Sequence, residues 1–195
     1  MKLEQTNRII IKIGSALLFN ETSGSLNKEW LNSLAEDVKY LRENDKEVII
    51  VSSGAIAMGA KDLDLDMKNM KMDMNQAVSA VGQIHLMGSF KSAFEKNEMK
   101  ISQILLTLDD TEQRRRSINA RRTIDTLLKL GIVPVVNEND TIATSEIRYG
   151  DNDRLASRVA QITSADCLIL LSNINGLYSA DPSTDEDVKL INKVS

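Results

Sequence analysis

The stretch Arg8-Ile9-Ile10-Ile11-Lys12-Ile13-Gly14-Ser15 joins a short run of isoleucines to a lysine and a glycine. Such a short, β-branched run predicts a buried strand that ends in a turn. Runs of the same kind recur at Glu47 to Val51, Ile101 to Leu106, Ile132 to Val136 and Cys167 to Leu171. Pro134 weakens the fourth of these strand predictions, because proline cannot donate to a sheet ladder.

Helical patterns separate these strands. The first carries an apolar face from Leu31 to Leu41 with Asn27 as N-cap, the second runs from about Met74 to Asn97, the third from Thr111 to Leu130 with Gly131 as C-cap, and the fourth begins near Asp151. The alternation predicts an α/β fold, a three-layer αβα sandwich with an open, mainly parallel sheet. The methionine-rich segment from Asp62 to Met74 has no clear period and is interpreted as a mobile lid or surface segment.

Composition sets limits on function. The chain has 195 residues, of which 42% are hydrophobic and 27% charged, as in an ordinary soluble domain. Its net charge of -4 argues against extended nucleic acid as a partner. The sequence shows no signal peptide or transmembrane stretch, so we expect no membrane association and a cytoplasmic location. Cys167 is interpreted as a buried strand residue and His85 has no ligating neighbours, so neither predicts a metal site.

Polar residues follow the first two strands, where parallel sheets bind their ligands. Lys12, Gly14 and Ser15 offer a cation and a closely approaching backbone to a phosphate, although a solvated lysine would look the same. The turn Ser53-Gly54-Ala55 can aim backbone N–H groups at an anion. A small-residue turn packed on a helix is the equally economical interpretation of that segment.

Carboxylates and amides cluster after the fourth strand, in Asn137-Glu138-Asn139-Asp140-Thr141, and again in Gly150-Asp151-Asn152-Asp153. Together the two clusters predict a polar pocket for an amino acid, since an ammonium group needs carboxylates or carbonyls and amides can bind a carboxylate. Asp151 and Asp153 also fit a helix N-terminus. The turn that begins at Ser172 and Asn173 is a candidate for the nucleotide side.

These motifs, together with Gly176-Leu-Tyr-Ser-Ala-Asp181-Pro182, resemble in order and approximate spacing the amino acid kinase family, in particular its members that act on glutamate. The resemblance spans nearly the whole chain. It implies ATP and Mg²⁺, L-glutamate as acceptor, γ-glutamyl phosphate as product, a place at the first step of proline biosynthesis, and a homo-oligomer.

The resemblance also implies a role for each matching residue. Lys12 would stabilise the transferring phosphoryl group, and Asp153 would orient that lysine. The glutamate site would comprise Ser53, Gly54, Ala55, Asn137, Glu138, Asp140 and Asn152. The nucleotide site would comprise Lys12, Gly14, Ser15, Ser172 and Asn173.

The sequence departs from the family pattern in two places. Asn173 stands where the family usually has aspartate, and the Gly-rich segment with a second phosphate-binding lysine is not in residues 1–195, nor is a PUA domain. We therefore expect one amino acid kinase domain that lacks its C-terminal part. Two alternatives stay open: an N-acetylglutamate, aspartate or uridylate kinase, and a non-catalytic amino-acid sensor. The arginines Arg114 to Arg116, Arg121 and Arg122 would allow a phosphorylated acceptor, although the preferred interpretation of them is a solvated helix face or a subunit contact.

Overall fold

The computed structural model describes residues 3–20, 24–68, 70–143, 151–180, 182 and 188–194. Strands and helices alternate along the chain, as the sequence predicts. The strands are β1 (Arg8–Ile13), β2 (Glu47–Val51), β3 (Lys100–Leu106), β4 (Ile132–Glu138) and β5 (Cys167–Leu171). The helices are α1 (Ser15–Leu18), α2 (Lys28–Glu43), α3 (Ala55–Asp62), α4 (Met72–Glu95), α5 (Leu108–Glu112), α6 (Arg114–Lys129) and α7 (Asp151–Thr163).

The five strands form one parallel sheet in the order β3-β4-β2-β1-β5. Successive side chains of a strand face opposite sides, so β1 divides its residues between two cores. Ile9, Ile11 and Ile13 pack with α2 and α4 on one side, whereas Ile10 packs with α6 and α7 on the other. Helices therefore cover both faces of the sheet, which confirms the predicted three-layer α/β fold.

Pro134 lies inside β4, an interior strand, with Ser102 as its neighbour in β3. The strand predicted from Ile132 to Val136 is confirmed despite this proline, and the register shows how the proline is accommodated. The ladder between β4 and β2 comprises only Ile50 with Val135 and Val51 with Val136, so it starts one residue after the proline. The missing N–H of Pro134 therefore falls outside that ladder.

Two helical predictions need correction. Ala55, interpreted from sequence as part of the turn after the second strand, is instead the first residue of α3 (Ala55–Asp62). The predicted helix from Thr111 to Leu130 is two helices, because the Thr107 hydroxyl and the Asp110 carboxylate form a capping box that starts α5 earlier, and the chain turns at Gln113 before α6. The predicted ends hold elsewhere, since Asn27 accepts from the Trp30 N–H at the start of α2 and Gly131 has φ 71° after α6.

Candidate active site at the carboxyl edge of the sheet

Lys12 lies near the end of β1 on the same face as Ile10, the face that α7 covers. Its Nζ is 2.6 Å from Oδ1 of Asp153 in the first turn of α7. The approach has the distance of an ion pair but not the angles of a hydrogen bond to that oxygen. The structure thus places a half-exposed carboxylate against a lysine side chain that is only 13% exposed.

Gly14 links the ends of β1 and β5. Its backbone N–H donates to the Leu171 carbonyl oxygen over 3.2 Å, and Ser15 then opens the short helix α1. A Cβ at position 14 would lie 3.9 Å from Lys12 Nζ, which is an ordinary contact distance. Position 14 therefore lies directly beside the lysine.

Gly54 is required at the turn after β2 for two reasons. Its φ of 95° lies in the left-handed region, and an added Cβ would lie 2.5 Å from the ring of Phe19. Helix α3 begins at the next residue, and Gly54 gives it no side-chain cap. The first N–H groups of any helix lack intrahelical partners, so the first turn of α3 supplies donors suited to an anion.

Helix α3 is held against α4 by two glycines. A Cβ on Gly59 would lie 1.9 Å from the Val78 carbonyl oxygen, and one on Gly82 would lie 1.8 Å from the Ala55 carbonyl oxygen. Real Cβ atoms do not approach so closely, so the two backbones touch only because both positions are glycine. This contact sets the direction in which the N-terminus of α3 points.

Asn137 and Asn152 are joined by side-chain hydrogen bonds below the turn after β2. Nδ2 of Asn152 donates to the Ser52 carbonyl oxygen over 2.6 Å and to Oδ1 of Asn137 over 3.1 Å. Nδ2 of Asn137 donates in turn to Oε1 of Gln83 in α4 over 2.8 Å. The two clusters that the sequence predicted as one pocket therefore meet.

Asp140 and Ser53 complete this side of the site. Asp140 is 8% exposed, and its Oδ2 accepts from the Ser79 hydroxyl of α4 over 2.6 Å. The Ser53 hydroxyl donates to the Ile13 carbonyl oxygen over 2.9 Å, which leaves its oxygen lone pairs available as acceptors. The neighbouring Glu138 is 6% exposed at the end of β4.

A cavity of about 510 Å³ collects these groups at the carboxyl edge of the sheet. The candidate residues that line it are Lys12, Gly14, Ser15, Ser53, Gly54, Ala55, Asn137, Glu138, Asp140, Asn152, Asp153 and Asn173. Ser172, the other nucleotide candidate, is not among the lining residues and is exposed next to Asn173. The predictions that involve Gly150 and Asp181 fall outside the described residues, as does the side chain of Asp151.

Sequence reasoning missed several lining residues, among them Ile56, Met67 and Asn75. Met67 belongs to the segment interpreted as a lid or surface segment, and its side chain is 53% exposed. No motif marks Asn75, which lies in the first turn of α4, so only the packing of α4 beside α3 shows its place.

A second cavity of about 500 Å³ lies between α2 and α4 and is lined by Ile84, His85 and Lys96 among others. The two cavities have nearly the same volume, so volume does not decide which of them is the functional site. The strand-end cavity is the better candidate because it gathers charged and polar groups from the ends of four strands, whereas the other lies away from every strand end. Within the described residues, His85 approaches only Asp62, at 3.2 Å, among carboxylates.

The described residues contain no group of three or more His, Cys, Asp and Glu side chains placed to hold a metal ion. They also contain no helix with the length and apolar character needed to cross a membrane.

Comparisons with known proteins agree with this fold. A family model described as the amino acid kinase family matches residues 7–195, so the chain belongs to that family. Among curated proteins, it is 57% identical over 194 residues to a glutamate 5-kinase of Pelagibacter ubique (strain HTCC1062), covering 100% of this chain and 52% of that protein. A glutamate 5-kinase of Ruegeria sp. (strain TM1040) is 52% identical over 192 residues, with 98% and 52% covered. The chain thus spans about half the length of the curated relatives it matches.

Two solved structures share the fold. An isopentenyl phosphate kinase of T. acidophilum superposes with a TM-score of 0.62 at 16% identity, covering 93% of this chain and 77% of that one. A UMP kinase from Bacillus anthracis gives 0.61 at 14% identity, with 95% and 72% covered. At these identities the likeness supports the three-layer architecture and nothing finer.

Proposed function

We propose that this protein transfers the γ-phosphate of ATP to the side-chain carboxylate of L-glutamate, giving γ-glutamyl phosphate at the first step of proline biosynthesis. The proposal rests on one observation: the cavity presents both hydrogen-bond donors and hydrogen-bond acceptors. Lys12 and the first turn of α3 supply donors. Ser53, Asp140 and Asn152 supply acceptors. Glutamate needs both kinds, since its two carboxylates accept and its ammonium group donates.

The reaction needs little covalent catalysis from the protein. A glutamate carboxylate is ionised at neutral pH, so it needs no general base. The difficulty is to hold two anions in line, which positioning and charge neutralisation supply. Lys12, oriented by Asp153, is placed to stabilise the transferring phosphoryl group.

The nucleotide would lie against Gly14, Ser15 and Asn173, which line the cavity beside Lys12, with Ser172 next to them. Mg²⁺ commonly binds through phosphates, waters and one or two carboxylates, and Glu138 and Asp153 give the cavity carboxylates of that kind. When bound, the ion supplies positive charge to the phosphates.

The similarity to glutamate 5-kinases supports glutamate over the other acceptors of the family. A phosphorylated acceptor would call for arginines, and no arginine is among the described residues that line the cavity. Arg116 instead pairs with Asp110 over 2.9 Å, and Arg121 with Asp125 over 3.6 Å, both on the outer helices.

Glutamate-dependent formation of ADP from Mg-ATP tests the proposal, with aspartate, N-acetylglutamate and UMP as competing acceptors. We expect turnover with glutamate well above that with the others. Preferred turnover of another acceptor would overturn the substrate assignment. Calorimetric binding of glutamate without any binding of Mg-ATP would favour an amino-acid sensor instead. A homo-oligomeric state and a cytoplasmic location stay predictions.

A further inference from the structure

Helix α4 reaches the acceptor side of the cavity through two buried side chains, Ser79 and Gln83. They lie four residues apart and therefore share one face of the helix. Ser79 is 3% exposed and bonds Asp140, and Gln83 is 8% exposed and bonds Asn137. No motif of the sequence marked either residue, because each acts through a residue that lines the site.

Two backbone groups settle which way the amides of Asn137 and Asn152 face. The Glu138 N–H can only donate, and it lies 2.9 Å from Asn137, so the atom there is Oδ1. Nδ2 of Asn137 must then face Gln83, which has to present Oε1. At the other end the Ser52 carbonyl can only accept, so the atom of Asn152 that faces it is Nδ2.

The hydrogen-bond count of Asn152 follows from that orientation. Its Nδ2 has two hydrogens, which go to the Ser52 carbonyl and to Oδ1 of Asn137. Of the hydrogen-bonding atoms in this side chain, Oδ1 is the one that takes no part in these two bonds. The sequence-based view that such amides bind a carboxylate does not fit Asn152, which can offer a ligand only an acceptor.

Gln83 is an unfavourable residue for stability alone. Its Nε2 is buried without a partner among the described residues, and an unpartnered buried amide costs free energy that an apolar side chain would avoid. Its Oε1, by contrast, is the acceptor that holds Asn137 in place. The glutamine is thus explained by what it does to the amides rather than by packing.

We propose that Ser79 and Gln83 are positioning residues that hold Asp140 and, through Asn137, Asn152 as acceptors for the α-ammonium group of the substrate. The inference rests on the proposed function and deepens it, because it assigns the selection of a free amino group to two residues that do not touch substrate. Loss of Gln83 would leave Nδ2 of Asn137 without its acceptor, so that only the bonds of Oδ1 from the Glu138 N–H and Asn152 would restrain that amide and, with it, Asn152.

The test compares Gln83→Met, which keeps the bulk and removes the acceptor, with Gln83→Glu, which keeps an acceptor oxygen. We expect Gln83→Met to raise KM for glutamate about tenfold, as for one lost hydrogen bond to a charged group, with kcat within about threefold of wild type. Gln83→Glu should stay within about threefold in both constants. Gln103→Met, at an exposed position of β3, is the matched control.

Glutarate has both carboxylates of glutamate and no ammonium group. It therefore distinguishes a specific loss of the acceptors for the ammonium group from a general loosening of the substrate site. Its inhibition constant should be the same in wild type and Gln83→Met. Equal losses for glutarate and glutamate, an unchanged KM in Gln83→Met, or failure of folded Gln83→Glu to restore KM would each overturn the inference.

Ser79→Ala is a second test with the same two measurements, KM for glutamate and the inhibition constant of glutarate. It replaces Gln83→Met if thermal unfolding shows that Gln83→Met does not fold. We expect it to raise KM for glutamate and to leave the glutarate constant unchanged, and the opposite pattern would overturn the inference. If the wild-type protein neither binds nor phosphorylates glutamate, the proposed function itself is wrong, and the inference falls with it.

Discussion

Lys12 Nζ lies 2.6 Å from Asp153 Oδ1, so the end of β1 and the first turn of α7 are joined by a charge pair inside the cavity. An ammonium group has three donors, and contact with one carboxylate oxygen leaves others for a ligand. Because Asp153 is 48% exposed and Lys12 only 13%, the carboxylate restrains the lysine without removing it from the site. The pair therefore suits a lysine that must act on a phosphate from a fixed place.

Lys12→Ala should abolish most turnover while leaving glutamate binding nearly intact. We expect kcat to fall about 10²- to 10³-fold, the usual effect of losing one transition-state donor, and KM for glutamate to change by less than about threefold. Steady-state ADP formation measures both constants. Lys91→Ala is the control, because Lys91 pairs only with Glu95 among the described carboxylates on an exposed face of α4. A variant that kept turnover would show that the role assigned to Lys12 is wrong.

Asp153→Asn should lower kcat by about tenfold or more, equivalent to about 1.4 kcal/mol of transition-state stabilisation, because the lysine loses its charge partner while the side chain keeps its shape. Thermal unfolding should stay close to wild type, since the pair is partly exposed and such pairs add little stability. Asp109→Asn, at an exposed position of α5, is the matched substitution. Wild-type kcat in Asp153→Asn would mean that Lys12 needs no partner.

Gly59→Ala should destabilise the protein by about 1–3 kcal/mol, as for an overpacked core, because α3 has to move away from α4. It should also raise KM, since the first turn of α3 lines the cavity. Gly88→Ala on α4 is a sharp control, because a Cβ there meets nothing within 4 Å. That change should stabilise the helix by about 0.5–1 kcal/mol. Urea unfolding of the two variants should move in opposite directions, and a loss of stability in both would contradict the account.

The pKa of Asp110 makes stability depend on pH. Partial burial would raise this pKa, but hydrogen bonds from the Thr107 N–H and hydroxyl, with the charge of Arg116, outweigh it and hold the pKa below the ordinary 3.8. A carboxylate with a lowered folded-state pKa adds stability above its unfolded pKa, and that stability is lost as the pH falls through the folded value. Asp110→Asn should therefore lose more unfolding free energy at about pH 6 than at about pH 3. Equal losses at both pH values would contradict this.

The strands could be predicted well because each is a short, mainly apolar run in a parallel sheet that helices cover on both faces. The strand bounds at β1, β2 and β5 agree with the sequence-based ranges. Helix α3 could not be predicted, because its start depends on a left-handed Gly54 packed against Phe19. Its packing against α4 depends on Gly59 and Gly82, which meet across the two helices, and a sequence shows neither contact.

The residues lining the cavity were largely predictable, since a parallel sheet brings the carboxyl ends of its strands together. Ser79 and Gln83 were not, because a polar residue inside a helical pattern gives no sign of what it bonds. The hydrogen-bonding direction of Asn152 was equally hidden. It follows from the Ser52 carbonyl and from Oδ1 of Asn137, which meet Asn152 only in the folded chain.

The pairing of β1 with β5 places Ile9 beside Cys167, so the sheet joins parts of the chain that are made far apart in time during translation. Lys12 leaves the ribosome long before Asp153 and the strand that follows it. Parallel pairing between such distant segments is slow. A nascent chain therefore holds its lysine without its carboxylate partner, and the capacity to bind substrate should be among the last properties that the folding protein acquires.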